Sequence, residues 1–174
     1  MRFLKLSASH HHRISRTMNA IKTVYRLFVK LANLLQSPLL LAMRLYWGWP
    51  LFLTGKGKLM NLSRTAGFFA SLHIPMPKLN AILAGSTECF GGLLLCLGLG
   101  SRLISIPIAF TMVIAYVTAD SEAFRSVLSD PDKFTGAAPF LFLLTALVIL
   151  AFGPGAFSVD YILGKKFGKP DRKS

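Results

Sequence analysis

Acidic residues are scarce in this chain. Seven Asp and Glu stand against twenty Lys and Arg in 174 residues, a formal net charge of +13. Charge of either sign is also low, at 16% of residues, where a soluble domain carries about 25%. Hydrophobic residues make up 53% and the mean hydropathy is +0.53. Those values argue against an ordinary soluble domain and place the chain in the membrane class. Cysteine is limited to Cys89 and Cys96. Seven helical steps would set them about 10 Å apart along an axis, too far for a mutual disulfide. They read as small buried apolar residues on one helix face. Chemical motifs are missing as well: no phosphate loop, zinc spacing or activated nucleophile appears, and Gly55 to Lys58 (GKGK) is too short to cradle a phosphate. The sequence therefore assigns no catalytic residue and no metal. A nucleic-acid partner is disfavoured, because the basic residues gather at the two ends, outside the apolar runs.

What is present is a set of apolar runs long enough to cross a bilayer as helices, which takes about 20 residues. The chain is expected to be all-α: a four-helix transmembrane bundle with an N-terminal basic amphipathic interfacial helix. The crossings are expected at about 38–54, 79–99, 103–119 and 137–153. The second organises the rest. Its small residues Ala81, Gly85 and Cys89 recur every fourth position, a spacing that lets another helix approach closely. One full charge, Glu88, sits near its middle, where a carboxylate is costly and must face another helix, a cation or a polar pocket.

Ahead of the bundle, residues 1–36 form a basic tail and helix. His10, His11 and His12 lack companion ligands, so they read as a solvated tail rather than a metal site, and Met18 is a candidate start. Ile14, Met18, Ile21, Tyr25, Phe28, Leu31 and Leu35 recur at helical spacing beside the row Lys22, Arg26 and Lys30. A basic face beside an apolar face suits a helix lying on an anionic membrane surface. Ser37 and Pro38 are expected to end that helix and begin the first crossing, with Pro50 as a kink. The connection 59–78 is too apolar for a free loop and is expected to hold a short interfacial helix, with His73 as a polar residue at headgroup level. Ser101 and Arg102 read as a tight turn that sets the second and third crossings antiparallel. Phe124, Val127 and Leu128 suggest a short amphipathic helix before the turn at residues 129–133. Residues 164–174 form a basic tail. Thirteen Lys and Arg on one side of the crossings against six on the other put both termini in the cytoplasm by the positive-inside rule.

Arg44 and Glu88 are the full charges placed well inside crossings. Counted from the same surface, they lie about 10 Å and about 17 Å deep, an offset a guanidinium can span. They are expected to form a polar pair that either fixes helix pairing or binds a polar headgroup. Lys56, Lys58 and Asp120 form a secondary polar group near the opposite surface. Asp160 is expected to cap a short helix.

These residues resemble the DoxX family of small bacterial membrane proteins from about Pro38 to Leu163. Arg44, Gly48, Phe52, Gly55 and Lys58 carry the first part, Glu88 with the GGLLLCLGLGSR run the second, and GPGAFSVD at 153–160 the third. The resemblance implies a four-helix, multi-pass protein of the inner membrane. It also implies kinship with a subunit of a thiosulfate:quinone oxidoreductase and with partners of redox complexes. The expected role is a membrane subunit or scaffold of a quinone- or thiol-linked redox complex, in contact with the bilayer, with redox-protein partners and self-association open. No cofactor is evident from the residues; quinone enters only through the resemblance. The alternatives are a quinone-binding oxidoreductase component in its own right and a small-solute transporter, the latter motivated by Pro50 and Pro107 as hinges.

Overall fold

A computed structural model describes the backbone over residues 2–167 and the side chains over 22–166. The histidine tract and the start-site question fall outside the described side chains, and most of the basic C-terminal tail falls outside the described residues. Among the described residues the chain is all helix, with no strand. The elements are α1 Arg2–Met60, α2 Leu62–Ser71, α3 Pro77–Leu97, α4 Ser101–Thr118, α5 Ser121–Arg125, α6 Pro131–Gly136, α7 Pro139–Phe152 and α8 Val159–Phe167. The chain divides into two compact units, residues 1–36 and 37–174.

The first unit is helical. Its described part exposes Val24, Tyr25, Leu27, Phe28, Leu31, Leu34 and Leu35, and Lys22, Arg26 and Lys30 are exposed too. The expected break at Ser37–Pro38 does not occur: α1 carries Pro38 and Pro50 inside it. A proline removes one backbone donor, while its neighbours keep theirs. In apolar surroundings those remaining groups are best satisfied by continuing the helix.

In the second unit, α1 packs on α3 through glycines on both helices. A Cβ at Gly48 would lie 2.8 Å from Cys96 Sγ, and one at Gly92 would lie 2.5 Å from the Phe52 backbone nitrogen. Gly55 abuts the Cys89 and Glu88 backbone, and Gly85 abuts Leu59. Gly48 and Gly55 are thus matched by Gly92 and Gly85 in antiparallel register, each pair two turns apart. Gly91 serves a different neighbour, since its Cβ would meet Ile108 of α4 at 3.0 Å. The helix therefore presents close-approach surfaces to two partners at once, which favours association where lipid supplies no hydrophobic drive.

Helix α4 packs against α3 and α7. Leu40, Leu51, Leu95, Ile108, Met112, Ala146 and Ile149 form the buried apolar core, with Phe142 and Leu143 packed on it. Trp47 meets Phe142 edge to face at 5.9 Å, joining α1 to α7. Outside, Leu45, Trp49, Leu53, Phe90, Leu97, Leu103, Phe110 and Leu147 are exposed, while Arg44, Glu88, Ser101, Ser105 and Thr145 are buried. Apolar residues outward and polar residues inward suit a lipid environment. By length and composition α3 and α4 qualify as membrane spans, and α7 is a shorter apolar helix.

The connections refine the sequence reading. The α3–α4 turn is made by Gly98 and Gly100 at φ +70° and +57°, with Ser101 and Arg102 already in α4. Gly98 N–H reaches Leu95 O and Leu99 N–H reaches Leu94 O, a Schellman closure that needs a left-handed residue. The 59–78 connection holds α2, followed by His73 and Met76 at positive φ. Residues 121–136 hold two short helices rather than one. Val127 and Leu128 lie beyond α5, and the expected turn at 129–133 is instead the start of α6, capped by Asp130 accepting from Lys133 N–H at 3.2 Å. Tyr116 stacks on Phe134 at 4.8 Å and donates to its carbonyl at 2.8 Å, tying α4 to α6.

Candidate functional site

The expected Arg44–Glu88 pair is not formed. Cys96 lies opposite Arg44, with Cys96 Sγ 3.5 Å from Arg44 O, whereas Glu88 lies opposite Gly55. In this register the two charges are eight residues apart along α3, about 12 Å. Depth counted from Pro38 placed them closer, because Pro38 was taken as the start of the crossing, whereas α1 runs through it unbroken. Each charge also has a nearer partner.

Arg44 is fully buried at one end of the unit. Its Nη2 donates to Phe157 O at 2.5 Å, and the group lies against Gly98, where a side chain would collide with it. Nε and Nη1 have no hydrogen-bond partner among the described residues. Their charge faces the carbonyl end of α3, the negative pole of that helix. Asp160 completes this end. Its carboxylate accepts from Gly100 N–H at 2.7 Å and Ser101 N–H at 2.9 Å, and its own N–H donates to Gly98 O at 2.9 Å. Asp160 thus caps α4, sixty residues back in the chain, while Ser158 Oγ accepts from Tyr161 N–H at the start of α8. The expectation of a local cap at Asp160 is corrected accordingly. This end is a clasp of backbone groups around two charged side chains.

Glu88 forms the other site. Its Oε1 accepts from Lys58 Nζ at 2.5 Å, with the Glu88 side chain 3% exposed and the Lys58 side chain 29% exposed. Oε2 has no partner among the described residues. The pair lines a cavity of about 730 Å³ between the end of α1, α2, the first half of α3 and the second half of α4. Phe68, Phe69, Leu83 and Phe110 supply apolar wall, and Arg64, Thr65, Asn80 and Thr87 supply polar wall. Most of the hydroxyls are spent locally: Thr54 Oγ1 donates to Pro50 O, Thr65 Oγ1 to Asn61 O and Thr111 Oγ1 to Pro107 O. The Lys58 ammonium has three protons, and one serves Glu88. The arrangement can therefore hold an amphiphile, its oxygen head at the ammonium and its body against the aromatic wall.

Lys56 is exposed and does not line the cavity. Asp120 is half-buried just beyond the lining residue Ala119 and makes no ion pair with either lysine among the described residues. The expected secondary cluster is thereby split, with Lys58 drawn to Glu88. His73 is exposed, while its neighbours Leu72 and Ile74 line the cavity. Arg64, Phe68 and Phe69 are not among the site residues expected from the sequence. The available signal was the apolar character of the connection with a lone Arg64 inside it.

The family model described as DoxX matches residues 39–121. The chain is also similar to a Bacillus subtilis (strain 168) protein named "Putative oxidoreductase CatD", with 30% identity over 132 residues, covering 74% of this chain and 90% of that one. No solved structure matches. Arg44, Lys58 and Glu88 all fall within the matched residues, whereas Phe157 and Asp160 lie beyond them. With that family match and that coverage of a relative, the chain is a membrane protein that belongs to the DoxX family.

Proposed function

We propose that this protein crosses the inner membrane four times, through the second half of α1 and through α3, α4 and α7, with both termini cytoplasmic. In this reading the bundle is the membrane subunit of a redox complex. The Lys58–Glu88 cavity holds the head of a quinone-class carrier. The observation that carries the reading is the cavity itself: about 730 Å³, within the roughly 300–1,000 Å³ of small-molecule sites, with an ion pair at one wall and aromatic rings at another. A quinone supplies two-electron carrier chemistry when bound. Lys58 would donate to its oxygen, Glu88 would hold Lys58 in place, and Phe68, Phe69 and Phe110 would pack the ring. The name of the Bacillus relative supports a redox role.

The test uses the full chain in nanodiscs. A short-chain quinone should raise its melting temperature, and Lys58→Met should abolish the shift. Capture from detergent extracts should recover a redox partner. Absence of any shift with quinones of several ring types would refute the ligand, and repeated recovery of this chain alone would refute the complex.

A further inference from the structure

The side chains lining the cavity carry two cations, Lys58 and Arg64, and one carboxylate, Glu88. That carboxylate is already engaged by Lys58. Arg64 has no acidic partner among the described ion pairs, and Asp120 follows the lining without joining it. Five helix ends border the space. The starts of α2 and α3 bring positive poles, and the ends of α1, α2 and α4 bring negative ones, so the poles do not favour an anion and the positive charge comes from the side chains. The strong polar groups left over are donors: the remaining ammonium protons of Lys58 and the guanidinium of Arg64. The opposite wall is apolar. We propose that the cavity selects an amphiphile with a single ionised oxygen head, bound between Lys58 and Arg64, over its uncharged counterpart.

An ionised acceptor makes roughly twice as strong a hydrogen bond as a neutral one, and it brings the lining charge to zero. The chemistry is shared by two sources: an ionised hydroxyquinone or phenolate, and a fatty carboxylate. The inference rests on the cavity being a ligand site, not on the ligand being a redox carrier.

The experiment compares matched pairs by equilibrium binding to the full chain in zwitterionic nanodiscs. One pair is an alkyl hydroxynaphthoquinone, ionised at neutral pH, and its methyl ether. The other is laurate and methyl laurate. The reading is the ratio of affinities within a pair, compared between variants so that partition into lipid cancels. Arg64→Gln should lower that ratio about tenfold, and Arg64→Lys should restore most of it. Lys56→Gln removes a nearby exposed charge without touching the lining, and should leave the ratio alone. Equal losses in Arg64→Gln and Lys56→Gln would mean a general field and overturn the proposal. So would a ratio unmoved by Arg64→Gln, even with the naphthoquinone bound; the quinone reading would then survive alone. Selective binding of laurate without either naphthoquinone would uphold the proposal and refute the quinone reading. Binding of none of the four would overturn both.

Discussion

Arg44 and Glu88 are buried charges on facing helices, held in opposite ways. Arg44 donates to a backbone carbonyl inside a clasp of loop and helix ends, with glycine pressed against it. Glu88 meets a half-exposed lysine at the wall of a cavity. A buried charge sealed by backbone holds the fold, whereas one whose partner faces open space can exchange that partner for a ligand. The contrast yields measurable differences.

The largest effect is expected where the two helices touch. At Gly55 a Cβ would meet Glu88 C and Gly85 O, both at 2.7 Å, and these are backbone atoms that cannot swing aside. Gly55→Ala must push α1 off α3, drawing Lys58 away from Glu88. The expected cost is about 3 kcal/mol, the upper end for overpacking, with loss of ligand-induced stabilisation. Two residues on, Gly57 lines the cavity and a Cβ there meets nothing within 4 Å. Gly57→Ala should be neutral or stabilising by up to about 1 kcal/mol. Unfolding in mixed detergent separates them, and equal effects would break the packing account.

Next comes Arg44→Ala. It strips the Phe157 carbonyl of a charged donor and leaves a void. A hydrogen bond to a charged group is worth about 1.5–3 kcal/mol, so a loss of about 3 kcal/mol is expected. Ligand affinity should hold, because Arg44 does not line the cavity. A ligand defect with intact stability would reverse the roles given to the two regions.

Smaller terms sharpen the register. In double-mutant cycles Lys58 and Glu88 should couple by about 1 kcal/mol, kept modest by the exposure of Lys58. Arg44 and Glu88 should add within about 0.5 kcal/mol. A coupled Arg44–Glu88 cycle would restore the pairing first expected. Glu88→Gln should also tighten an anionic ligand, since it removes the one carboxylate of the lining.

Much of the fold was legible. Pro77–Leu97 and Ser101–Thr118 fall within two residues of the runs expected as crossings, because the ends of long apolar runs are marked by Gly98, Gly100 and Pro77. Glu88 was legible as a residue needing a partner, since a carboxylate in an apolar run must be answered. Which cation answers it was not legible. Helical periodicity sets the face a residue occupies, but axial register depends on where two helices first touch, and here Gly48 and Gly55 meeting Gly92 and Gly85 decide it. The cavity wall was hidden for a related reason. Phe68 and Phe69 belong to a short helix whose apolar face matches a membrane surface or a neighbouring helix equally well, and only the fold of α2 onto α3 chooses.

The smallest effect concerns Asp160, and it tests whether the clasp acts at a distance. The first N–H groups of α4 have no intrahelical acceptors. Gly100 and Ser101 direct theirs to the Asp160 carboxylate, whose charge also suits the positive end of the helix. Asp160→Ala removes both bonds. Loss of an N-terminal cap costs about 1 kcal/mol, and that is the expected change in unfolding free energy. Asp160→Asn keeps one oxygen and should recover part of it. The locus distinguishes this from a local cap: hydrogen exchange should quicken at Gly100 and Ser101, while Tyr161, whose N–H goes to Ser158 Oγ, keeps its protection. Faster exchange confined to α8 would mean that Asp160 serves its own helix after all, and that the α4 start is held by other groups.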